Sequence, residues 1–144
     1  MTEADISRKQ MKALREAALE PKLLFKSVAF KHWQHVGSGT PDVSVTWAGL
    51  TTWVELKYLK HGLISRGIQR LMIEKLAAAG SCFYLLFSEE ETAIVSPHQL
   101  DEYLKTGHMA RKIGEPFDYQ LIVNFIREWH LLQSECGHKE PKQT

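Results

Sequence analysis

Apolar positions recur along this chain at two spacings, and the switches between them mark its elements. Over residues 3–19, Ile6, Met11, Leu14, Ala18 and Leu19 return at near-helical intervals until Pro21, which predicts a first helix. Residues 22–35 turn aromatic and β-branched after Leu24, predicting a strand in their second half. Gly37-Ser38-Gly39-Thr40-Pro41-Asp42 reads as a loop. Beyond it Val43, Val45 and Trp47 fall on one side of an alternating strand, with Asp42, Ser44 and Thr46 on the other. After a turn at Ala48-Gly49-Leu50, residues 52–58 alternate again. Val54, Leu56 and Tyr58 share one face, and Trp53, Glu55 and Lys57 share the opposite one. The short connection makes these two strands an antiparallel hairpin.

Downstream, Ser65 is a candidate cap for a helix over about residues 66–79 that Gly80 stops, with Ile68, Leu71, Met72, the Lys75 stem, Leu76 and Ala79 as its inward face. Residues 82–87, Cys-Phe-Tyr-Leu-Leu-Phe, form a continuous apolar run suited to a central strand covered on both sides. A short strand follows at 92–95, then a helix opened by Ser96-Pro97 and ended by Gly107. Leu121, Ile122, Phe125, Trp129 and Leu132 mark a final helix within 118–133. The expected class is α/β of the α+β kind, a mixed sheet flanked by helices. One domain over 1–144 is expected, with its catalytic core near 22–95 and additional C-terminal helices over 96–144.

Composition narrows this little. A chain of 144 residues, 44% hydrophobic and 24% charged, is neither wholly disordered nor collagen-like and suits one core. No apolar run is long enough to span a bilayer, so no membrane partner is expected. The first ten residues lack a secretory pattern, and a cytoplasmic location is the expectation. Cys82 and Cys136 match no disulfide framework or zinc pattern. Net charge is only +1, but residues 1–80 hold 12 Lys and Arg against 7 Asp and Glu, whereas residues 81–144 hold 6 against 10. Phosphate binding rests on local charge, so a basic first half is compatible with a nucleic-acid partner.

The candidate chemistry sits on the hairpin. Glu55 and Lys57, two apart on a strand, point the same way. Asp42 belongs to the same face of the neighbouring strand. Two carboxylates converging on one point repel unless a cation lies between them, and hard oxygen ligands suit Mg²⁺ or Mn²⁺. A lysine beside such an ion can position a water for attack at phosphorus.

Gly39-Thr40-Pro41-Asp42-Val43, Trp53-Val54-Glu55-Leu56-Lys57, Gly67-Ile68-Gln69-Arg70-Leu71 and Ala78-Ala79-Gly80-Ser81-Cys82-Phe83-Tyr84-Leu85-Leu86 together resemble the VRR-NUC branch of the PD-(D/E)xK nucleases, relatives of Holliday-junction resolvases found in phage and mobile elements. The resemblance covers about residues 37–87. It implies a restriction-endonuclease-like fold, Mg²⁺ or Mn²⁺, and hydrolysis of DNA, with branched DNA and an endonuclease activity as the specific expectations. By position it implies Asp42, Glu55 and the Leu56 carbonyl as metal ligands, Lys57 acting on the nucleophilic water, and Gln69 holding Lys57 or the phosphate. The family's additional glutamate on the first helix would be Glu16, preferred over Glu20 beside Pro21 and over Glu3. Resolvase relatives being dimers, a homodimer is one expected arrangement.

Lys60, His61, Arg66 and Arg70 flank the proposed site and are the expected DNA contacts. His32 and His35 are weaker candidates. Two rival readings stay open: a non-catalytic DNA- or protein-binding module on the same fold, and a small domain whose Glu-x-Lys is an ordinary solvated strand face.

Overall fold

The computed structural model describes residues 2–18, 27–31, 41–47, 50–59, 67–79 and 81–139. Helix α1, Glu3–Ala18, begins with a reciprocal cap. The Asp5 N–H donates to Thr2 Oγ1 while the Thr2 N–H donates to Asp5 Oδ2, satisfying two of the donors that a helix start leaves open. Its buried positions, including Ile6, Gln10, Met11, Ala13 and Leu14, form one arc.

Six strands make one sheet: β1 Ser27–Lys31, β2 Val43–Trp47, β3 Leu50–Tyr58, β4 Ser81–Phe87, β5 Thr92–Val95 and β6 Lys112–Gly114. Their order across the sheet is the order of the chain. All neighbours are antiparallel except β3 and β4, which are parallel and joined through α2, Gly67–Ala79. A parallel pair needs a crossover of this kind. A 3-10 turn at Pro97–Gln99 leads into α3, Leu100–Thr106, and Gly107 ends it at φ 73°, a left-handed cap that glycine adopts without strain. Helix α4, Gln120–Lys139, closes the described chain.

The sheet is covered on both faces. On one, Val43, Val45, Val54, Leu56, Tyr58, Phe83, Leu85 and Phe87 pack with α1 and α4. On the other, Cys82, Tyr84, Leu86, Ala93 and Val95 pack with Ile73 of α2 and with Leu100 and Tyr103 of α3. The apolar run of β4 is therefore a strand buried on both faces, each large side chain contributing roughly 1.5–3 kcal/mol of burial. Among the described residues, no helix is long and apolar enough to cross a membrane.

The mixed sheet with helices agrees with the sequence reading, with four differences. β6 is an added strand: it has three residues, and its Lys112 and Ile113 are exposed, too short and too polar to alternate visibly. β3 starts at Leu50, two residues early. α2 turns Ile73 fully inward against Cys82, Tyr84 and Leu86 of β4 and leaves Leu71 at 52% exposure, with Ala77 and Ala78 facing Pro97 and His98 across a small cleft. α4 starts later and runs longer than 118–133, since Asp118 caps it by accepting from the Gln120 and Leu121 N–H groups, and Leu132 is exposed rather than core.

Candidate active site

The register Val43–Val54 sets Asp42, one residue before β2, opposite Glu55 of β3. Two charge-assisted hydrogen bonds fix the pair. The Asp42 N–H donates to Glu55 Oε1 at 3.0 Å, and the Leu56 N–H donates to Asp42 Oδ2 at 3.1 Å. Lys57, one alternation beyond Glu55, places Nζ 3.3 Å from Glu55 Oε2. Asp42, Glu55 and Lys57 thus meet at one point, as alternation on a hairpin dictates.

The face they share is not solvated. Glu55 is 1% exposed, and Trp53 on the same face packs into the core beneath α2 and α3. An ordinary solvent-facing Glu-x-Lys is therefore excluded. Burial first, and the charge of Asp42 second, push the Glu55 carboxyl up to about 8 against the opposing charge of Lys57. The Cys82 thiol, buried on the same face, is pushed up to about 12 by burial and by Glu55, which disfavours its thiolate.

A strand residue turns its N–H and C=O to the same side, and residues two apart turn the same way. The Leu56 N–H meets Asp42, so the Leu56 carbonyl opens on that side too. Two residues on, the Tyr58 N–H donates to Glu3 Oε2 at 3.4 Å. Glu3, the first residue of α1, is thereby drawn to the strand that carries Glu55 and Lys57. Between α1 and this end of the hairpin lies a cleft of about 600 Å³, lined by Glu3, Ala4, Ser7, Arg8, Met11 and Arg15 of α1 and by Asp42 and Leu56.

The helical glutamates separate cleanly. Glu16 is exposed, 3.9 Å from Lys12 and away from the cleft lining, while Glu3 lines the cleft and accepts from the Tyr58 N–H. Gln69 and Arg70 stand in the first turn of α2, their side chains outside what the structure describes. Lys60, His61, Arg66, Glu20, His32 and His35 lie outside the described residues. Besides Lys57 at the site itself, Arg8 and Arg15 line the cleft, cations that sequence reasoning did not single out. Their spacing of seven on a helix, with Met11 between, was the available signal.

Among the described residues, no group of three His, Cys, Asp or Glu side chains stands close enough to hold an ion unaided. The donor set still fits a hard divalent cation. Magnesium keeps several waters and is held by one or two carboxylates together with substrate phosphates. Asp42 and Glu55 are two carboxyl groups in contact, with Lys57 beside Glu55. No known protein family and no curated protein matches the chain.

Proposed function

We propose that this protein is a metal-dependent deoxyribonuclease of the PD-(D/E)xK kind, built on a restriction-endonuclease-like version of its mixed sheet. The observation that carries the reading is the contact of Asp42, buried Glu55 and Lys57 at the hairpin end, with Asp42 also lining a cleft beside α1. Burying two carboxyl groups against each other costs stability, and a protein that keeps the arrangement at a cleft has a chemical use for it.

Asp42 and Glu55 would hold Mg²⁺ or Mn²⁺ with the Leu56 carbonyl, the remaining positions going to water and to the substrate phosphate. The ion supplies stabilisation of charge on the attacking and leaving oxygens at phosphorus. Lys57, with Nζ beside Glu55, would orient the attacking water and oppose the negative charge of the phosphate. Gln69, in the first turn of the crossover helix, is assigned to holding Lys57 or the phosphate.

The substrate class is DNA, cut internally, with branched forms the first to try. Incubation with linear, flapped and four-way DNA in Mg²⁺ or Mn²⁺, with a chelator as control, tests the reading. Metal-dependent cleavage lost in Lys57→Ala is expected. A correctly folded wild type that cuts none of these substrates in either metal overturns it. Paired incisions across a four-way junction would further require two copies of the chain.

A further inference from the structure

The cleft has a second set of residues for which the cleavage chemistry has no use. Arg8 and Arg15 line it together with Ala4, Ser7 and Met11. Positions 4, 8, 11 and 15 form one straight stripe on a helix. The stripe runs from the acidic end of the cleft, at Glu3 and Asp42, toward the basic last turn of α1. We propose that this cleft is the path of one phosphodiester strand, with Arg8 and Arg15 gripping phosphates next to the one that lies at Asp42. The inference rests on the nuclease reading and names the residues that give it a substrate track.

Three features support the assignment. Seven helical residues separate the two guanidinium groups by roughly 10 Å of helix axis. Two turns apart on the helix, they can reach different phosphates of one strand. Ala4 and Ser7 are small, which keeps the α1 wall low beside Asp42 and leaves room for a backbone there. The third feature is the state of the arginines. Arg8 pairs with Asp5, but both side chains are solvent-accessible, and such exposed pairs hold weakly. Asp5 keeps its bonds to Thr2 if Arg8 turns away, so a phosphate can take the guanidinium without unravelling the helix cap. Arg15 is exposed at the open end. Arginine's planar fork suits phosphate oxygens better than a lysine point charge does.

The test reads binding without cleavage. In a Lys57→Ala background, anisotropy of a short fluorescent DNA duplex and of its single strand is measured across a NaCl series, with and without Arg8→Gln/Arg15→Gln. A control, Lys9→Gln/Lys105→Gln, removes equal charge from exposed positions outside the cleft lining. The arginine pair is expected to weaken binding about tenfold or more and to flatten the salt slope on duplex by about 0.9 for each phosphate no longer gripped. The control leaves the slope unchanged, and the melting temperatures of all variants match. An unchanged slope in the arginine variant, or an equal loss in the control, overturns the proposal. If the wild type cuts DNA while the arginine variant keeps full affinity, only the strand path fails. If DNA is bound through these arginines but never cut, the track stands and the nuclease reading falls.

Discussion

Glu55 is a carboxyl group with almost no water around it, and its behaviour with pH follows from that. Its acidity in the folded state is weakened from about 4.5 to about 8, first by burial and then by Asp42. The metal-free native state therefore holds a proton that the unfolded chain releases. The stabilisation from that proton is full below about 4.5 and is lost as pH rises through about 8. The metal-free protein should melt at progressively lower temperature between these limits, by an amount on the order of a few kcal/mol. Glu55→Gln should flatten the curve; calorimetry across pH reads both, and a wild-type curve already flat would contradict the burial argument. Lys57 acts differently. Lys57→Ala removes a partly buried ammonium and leaves the fold standing, but should lower the cleavage rate by about 10²-fold or more under single-turnover conditions. At this scale the sequence was most legible. Asp42, Glu55 and Lys57 could be placed together because strand alternation has a fixed period of two. Arg8 and Arg15 could not, because which stripe of an amphipathic helix borders a cleft depends on how it docks.

Single elements are anchored by polar contacts as well as by apolar faces. Helix α4 is held to the starting end of β3 and β4, where the Thr52 hydroxyl and His130 Nε2 stand 2.6 Å apart and both residues are fully buried, and where Trp129 Nε1 donates to Ser81 Oγ at 2.6 Å. His130→Ala should cost about 2–4 kcal/mol in denaturant unfolding, from the cavity and the stranded Thr52 hydroxyl. Thr52 precedes Lys57 by about 16 Å of strand, so cleavage per folded molecule should not change. A loss of activity exceeding the loss of folded protein would show that α4 reaches the site. At the other helix, Thr2→Ala removes the α1 cap, at a cost of about 1 kcal/mol, and loosens the turn that carries Glu3. Helix and strand positions were readable where periodicity was long. The three-residue β6 and the inward stripe of α2 were not, because both were settled by their neighbours: β6 by pairing along β5, and α2 by the packing of Ile73 against β4.

For the molecule as a whole, ion loading and stability are linked. An ion that binds only the folded protein at about a hundred times its Kd adds about 2.7 kcal/mol, which in a chain of this size raises Tm by roughly 5–10 °C. Mg²⁺ or Mn²⁺ at alkaline pH should give such a rise, and Asp42→Asn should abolish it; thermal melts with and without chelator decide, and an equal rise in the variant would locate the ion elsewhere. The sheet order carries one more consequence. Every strand lies beside its neighbour in the chain, so the sheet can be laid down in the order of synthesis, with only the α2 crossover delaying a partner. Asp42 and Glu55 lie on neighbouring antiparallel strands, one residue before β2 and within β3, and would be pressed together while much of the chain was still being made. The nascent hairpin must then carry that repulsion, with a proton or an ion as its counterweight, before α4 emerges to seal the opposite face.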